Sequence, residues 1–251
     1  MTTDSEFIYA LRLADDALVL GHRLSEWSGK APSLEEDIGL SNLGLDLIGQ
    51  ARLFYQLAAR LEAKGRDEDQ FAFFRDAADF RNVLLVELPG GDFAFTMARQ
   101  LIVAAYLHPL YDTMTRSASP GLAEIAAKAV KEMAYHVRHS AEWVIRLGDG
   151  TAESHHRMVA ALKTIWPFAH ELFEADAVLQ TLVTSGIAPD PTLVKLAWTT
   201  TIDKVLRQAT LHPPLTAGRR TGGRAGRHTE HLTDMLAEMQ SLARAHPGAT
   251  W

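Results

Sequence analysis

Apolar residues recur every three to four positions along most of this chain, and no stretch alternates with the period of two that a half-buried strand requires. From about Ser5 to Ser28, Phe7, Leu11, Ala14, Leu18, Leu24 and Trp27 share one face, and Gly29 supplies a stop. Ser33 followed by Glu36 has the spacing of a capping box and predicts a second helix reaching about Lys64, before Gly65. Gly39, Gly44 and Gly49 lie inside it. Each costs roughly 1 kcal/mol relative to Ala there, so they predict close approach of a neighbouring backbone. A Phe-rich helix is expected from about Glu68 to Glu87, followed by a turn at LPGGD. Asp92 should cap a helix from Phe93 to about Arg116, kinked at Pro109. Ser119 and Pro120 open a further long helix that Gly148 ends.

Three more helices are predicted beyond Gly150: near Ser154 to Asp176 with a bend at Pro167, near Pro191 to Leu211 capped by Asp190, and from about Thr229 to His246. The fold class is therefore all-α, a long helical bundle with additional C-terminal helices. One domain over 1–251 is expected, with the core bundle at about 5–147 and the additional helices at about 154–246.

Composition narrows the function classes. The chain has 251 residues, 47% of them hydrophobic, enough for a substantial core. The apolar run Leu101 to Leu107 is bounded by Arg99 and His108, far short of the ~20 residues of a membrane span. The N-terminal MTTDSEF carries acids where a secretory leader carries basic residues. No cysteine is present, which excludes disulfides and thiolate metal sites and fits a cytoplasmic protein. A net charge of -6 argues against nucleic acid as a partner.

The candidate chemistry starts from LAEIAAKAVKEMAYHVRHSAEWVIRL, Leu122 to Leu147. Glu132 shares its stripe with Ile125, Ala129, His136 and Trp143. On the second helix, Leu43, Asp46, Gln50, Leu53 and Leu57 line up, so Asp46 should be a semi-buried acid. Four-helix di-iron proteins take one Glu from each of two helices and Glu-x-x-His from each of the other two. Three residues after Glu132 stands Tyr135, and three after Asp46 stands Gly49. His136 is turned by about 100° from the ligand position. The central turns of the Phe93 helix hold no carboxylate, and the first helix offers Asp15, Asp16 and Glu26. The count falls short of six ligands, and the alternative to metal is a polar network satisfied by His136, Gln50, Tyr135 or a lysine. The pairs His136/His139 and His228/His231 are read as ordinary surface or capping residues, with His139 on the charged side of its helix near Arg138 and Glu142.

The stretch TAGRRTGGRAGRHTEHL sets Arg219, Arg220, Arg224 and Arg227 among four glycines. Guanidinium groups on such a loop suit a phosphate, a carboxylate or an acidic partner surface.

The segments LGHRLSEWSGKAPSLEEDIGLSNLGLDLIGQAR, RNVLLVELPGGDFAFTMARQ, KAVKEMAYHVRHSAEWVIRLGDGT and RTGGRAGRHTEHLTDMLAEMQ resemble the PaaC-type subunits of bacterial phenylacetyl-CoA epoxidases, over nearly the whole chain. That resemblance implies a ferritin-like bundle without a metal site of its own. It implies a structural role beside a PaaA-type catalytic subunit that holds the di-iron centre and binds the CoA thioester. Asp46, Gly49, Glu132, Tyr135 and His136 would then be remnants of metal-motif helices, and no catalytic or metal-ligating residue is expected here. The arginine loop would face the CoA phosphates or the partner. Without that partner, the orphaned face gives the isolated chain a route to self-association. The competing expectation is a self-sufficient ferritin-like di-iron oxidase using Asp46, Glu132 and His136.

Overall fold

The computed structural model describes residues 2–215 and 218–249. In chain order the helices are α1 (Thr2–Ser25), α2 (Leu34–Glu62), α3 (Glu68–Phe73), α4 (Leu84–Glu87), α5 (Phe93–Met114), α6 (Pro120–Gly148), α7 (Ala152–Ala169), α8 (Ala177–Thr184), α9 (Pro191–Gln208), α10 (Glu230–Met239) and α11 (Ser241–Ala245). Three short 3-10 turns punctuate them at Ala77–Asp79, His170–Phe173 and Gly223–Ala225. No strand occurs among the described residues.

The long helices start where their side chains provide acceptors for the first free amides. Asp92 accepts from Phe95 N at 2.9 Å, Ser119 from Leu122 N at 3.4 Å and Asp190 from Thr192 N at 2.8 Å. Ser33 accepts from Glu36 N at 3.4 Å, which is only half of the expected box, because the Glu36 side chain reaches His139 instead. Gly29 takes φ +75 in the turn after α1, and α2 ends on Ala63, itself left-handed at φ 54. Pro109 lies inside α5.

Helices α1 and α2 pair closely, as do α5 and α6, and α2 meets α6 to bring the two hairpins into one bundle. The α1–α2 crossing depends on Gly21 and Gly44: a Cβ on Gly44 would stand 3.3 Å from Gly21 O and 3.1 Å from Ser25 Oγ. Of the three α2 glycines, only Gly44 meets neighbouring backbone. Gly39 faces the His139 ring, and Gly49 borders open space.

The C-terminal helices are placed asymmetrically. Helices α7 and α9 pack on α5 and α6, and α8 packs on α1. Trp198 Nε1 on α9 donates to Ile102 O on α5 at 3.0 Å. Helix α5 is apolar nearly all round and α1 is buried on both sides, as helices covered on every face must be.

Two expected helices are corrected. The span Glu68 to Glu87 is broken into α3, a 3-10 turn, an extended stretch and the single turn α4. Beyond Pro167 the chain passes through a 3-10 turn and then starts α8, which Asp176 caps by accepting from Leu179 N at 3.0 Å.

Candidate functional site

Where α2, α5 and α6 meet, six polar side chains form a file of two hydrogen-bonded sets. Gln100 Nε2 donates to His136 Nδ1 at 2.9 Å, which leaves the ring proton on Nε2, donating to Asp46 Oδ2 at 3.2 Å. Gln50 Nε2 donates to Glu132 Oε2 at 2.8 Å, and Lys128 Nζ stands 3.8 Å from Glu132 Oε1. His136 is fully buried, whereas the Asp46 side chain is 37% exposed, so the file runs from the core to the α2–α6 seam. The expected polar network is present, with Gln50, His136 and a lysine as partners and with Gln100 as a member that carboxylate counting overlooks. Tyr135 is not in it. Its ring is 40% exposed and lies under the Arg138 guanidinium at 5.2 Å.

A pair of bridged metal ions would need carboxylates and imidazoles converging from four helices. Here α5 offers the amide of Gln100, both nitrogens of His136 are committed, and Glu132 is bonded to Gln50 with Lys128 nearby. Position 49 borders open space and position 135 faces outward, so neither projects a ligand inward. Among the described residues no three histidine or acidic side chains are grouped as metal ligands would be. These residues do not fit a di-iron centre.

Four other acids are almost completely buried: Asp15, Asp16, Glu87 and Glu171. They hold backbone. Arg81 N donates to Asp15 Oδ2 at 2.7 Å, Val83 N to Asp16 Oδ1 at 2.8 Å and Leu84 N to Glu171 Oε2 at 2.7 Å. Glu171 Oε1 also accepts from Gly222 N at 2.8 Å and Gly223 N at 2.7 Å, while Glu87 Oε1 accepts from Thr229 N at 2.6 Å. Buried amides outside helices need acceptors, and carboxylates supply the strongest ones. Arg75 and the Tyr55 hydroxyl complete the shell of Asp15.

The arginine loop divides, and its Thr216 and Ala217 lie outside the described residues. Arg219, Arg220 and Arg227 are exposed. Arg224 turns inward: its Nη2 donates to Asp16 Oδ2 at 2.6 Å and its Nη1 to Arg81 O at 2.8 Å. This corrects its expected place in an anion or partner contact. Gly223 is required beside it, since a Cβ there would come within 2.0 Å of Asn82 O.

Two histidines also depart from expectation. His139 is half-buried, with Nε2 3.0 Å from Glu36 Oε2, and so ties α6 to α2. The His228 side chain is buried between Glu87 Oε2 at 2.8 Å and Phe80 O at 3.0 Å. Burial pulls its pKa down, but the hydrogen bonds to Glu87 and Phe80 outweigh that and raise it above the ordinary value. A raised folded pKa means a contribution fully present below the unfolded pKa of about 6.5 and lost as pH climbs through the folded one. Replacing His228 with Gln is expected to cost about 1–3 kcal/mol near pH 6. The deficit should shrink toward pH 8, which urea unfolding at both pH values would measure.

A family model described as phenylacetic acid catabolic protein, covering PaaA and PaaC, matches residues 1–251. The C-type subunit of the 1,2-phenylacetyl-CoA epoxidase of Escherichia coli strain K12 is 49% identical over 243 residues, which cover 97% of this chain and 98% of that protein. With an all-α bundle and a match along its full length, this chain belongs to the phenylacetic acid catabolic protein family.

Proposed function

We propose that this chain is the structural C-type subunit of a 1,2-phenylacetyl-CoA epoxidase, working in the cytoplasm beside a PaaA-type subunit that holds the di-iron centre and binds the CoA thioester. The relative's identity along almost the whole chain supports the complex and the substrate class. One observation supports the division of labour: Asp46, His136 and Gln100, and beside them Gln50 and Glu132, hydrogen-bond to one another, while the buried amide oxygens of Gln50 and Gln100 have no partner among the described residues. The work of the file is to hold three helices in register. In the same reading, Arg219, Arg220 and Arg227 are the loop cations left to meet CoA phosphates or a partner carboxylate.

The test is reconstitution. The chain is co-expressed with a PaaA-type subunit of the same source, supplied with the reductase and assayed for epoxidation, with and without this chain. A triple variant, Asp46→Asn, Glu132→Gln and His136→Gln, is expected to keep at least about half of the wild-type turnover once assembled, because a lost catalytic group costs far more, about 100-fold or above. A 100-fold loss in an intact complex would place chemistry in this chain and end the proposal.

A further inference from the structure

A small chamber lies where α1, α5, α8 and α9 meet the arginine loop, and its volume is about 60 Å³. Leu13, Leu110 and Val194 stand on the apolar part of its wall, and Tyr9, Arg12 and Tyr106 on the polar part. Helix α8 borders it through Leu179 and has one buried side chain, Leu182. An ion pair between Arg12 and Asp176, the residue that caps α8, ties that helix to α1.

Two donors on this wall have no partner among the described residues. Both Nη atoms of Arg12 are taken up by Asp176, whereas its Nε–H is closed off from bulk solvent and bonds to no protein group. The Tyr106 hydroxyl, on an equally buried side chain, makes no hydrogen bond either. Burial pushes the Tyr106 phenol up to about 12, so it keeps its proton and can donate. Tyr9 reaches the Met114 sulfur at 3.9 Å, which leaves its own oxygen able to accept. Buried donors in folded proteins nearly always find a protein group or an ordered water.

Size and charge together select the occupant. A water takes about 10–15 Å³ of such a volume, so about four fit, whereas a cavity that admits a benzene ring has about 150 Å³. The ring of an aromatic substrate is therefore too large. The charges on the wall already have partners: Arg12 has Asp176, Arg224 has Asp16, and Glu171 accepts from the amides of Leu84, Gly222 and Gly223. Glu174, the remaining wall acid, is exposed with Thr221 and Arg219 beside it, and burial and Glu171 raise its pKa. An ion of either sign would enter without a counter-charge of its own, so the site suits a neutral molecule. We propose that the chamber is a hydration site, in which ordered water accepts from Arg12 Nε and from the Tyr106 hydroxyl and joins α1 to α5 where α8 and α9 close over them. Water both accepts and donates, which also suits the Tyr9 oxygen.

The experiment has a crystallographic arm and a thermal arm, both on the full chain. A crystal structure is expected to show density about 2.7–3.2 Å from both Arg12 Nε and the Tyr106 oxygen. Xenon under pressure, which enters dry apolar cavities, should stay out of the chamber. Tyr106→Phe is expected to lower Tm by about 2–4 °C, the effect of one lost hydrogen bond in a chain of this size. A dry chamber predicts the opposite sign, because the change would then delete an unpaired buried hydroxyl. Absence of density beside the two donors, xenon bound in the chamber, or a Tyr106→Phe melting point at or above that of the wild type would each overturn the proposal.

Discussion

Arg224→Gln should lower folding stability by about 3–5 kcal/mol, whereas the combined change of Arg219, Arg220 and Arg227 to Gln should shift it by less than about 0.5 kcal/mol per site. The four residues are close neighbours in sequence, yet only Arg224 enters the interior, where it binds the Asp16 carboxylate and the carbonyl of Arg81. Burial alone would push its pKa down, but Asp16 more than offsets that and keeps the guanidinium charged. Glutamine cannot reach both groups and leaves Asp16 uncompensated at 3% exposure. For a chain of this size each kcal/mol moves Tm by about 2–4 °C, so the single change should lower it by roughly 6–20 °C. The triple variant should melt with the wild type. Its apparent substrate affinity in the reconstituted complex then reports on the CoA contact, and an unchanged affinity would remove that role. Equal, small effects of both variants on Tm would mean that Arg224 is solvated after all.

That contrast marks where pattern reading stops. The four long helices are legible because their starts carry side-chain caps and their inner faces repeat at three and four. The break after Phe73 is not, because nothing local forces it. The stretch that follows has no glycine and no proline before Leu88. What holds residues 81–83 out of a helix, and starts α4 at Leu84, is distant: Asp15, Asp16 and Glu171 accept the amides of Arg81, Val83 and Leu84. Adjacent acids in the middle of the most apolar part of α1 are the available signal, and a search for metal ligands passes over their use as backbone acceptors. The arginine loop misleads in the same way. Gly223 lets the chain press against Asn82 and Leu84, so a composition typical of a solvated loop also holds a buried segment at Gly222 and Gly223.

The α2–α6 file is legible in its chemistry and incomplete in its membership. His136 meets Asp46, and Glu132 meets Gln50, across the two helices whose spacing sets those stripes face to face. Gln100 cannot be paired with His136 from sequence, since α5 is apolar on every side and shows no face. An amide at that position fixes the imidazole tautomer without adding charge. This arrangement suits a bundle that must stay in register, and a carboxylate there would instead have invited a cation.

The largest single-site loss outside the arginine loop should come from the ion pair of a second interior acid, Asp15. Its carboxylate faces Arg75, the Tyr55 hydroxyl at 2.6 Å and Arg81 N at 2.7 Å, and the acid itself has no exposure. Burial raises the Tyr55 pKa and Asp15 raises it further, so the phenol stays protonated and donates. The Arg75 guanidinium lies 4.2 Å over the Phe80 ring and adds cation–π attraction. Arg75→Met should cost about 3–5 kcal/mol, because it strands a buried carboxylate, and Asp15→Asn about as much, because it strands a buried guanidinium. Combining them removes both charges while retaining an acceptor for Arg81 N and an amide donor that the Tyr55 hydroxyl can accept. The double variant should therefore be more stable than the sum of the singles predicts, by about 2 kcal/mol or more in a double-mutant cycle followed by urea unfolding. Additive losses would show that Asp15 acts through its backbone bonds alone, and α1 would then be anchored by the strip at 81–83 with no help from the ion pair.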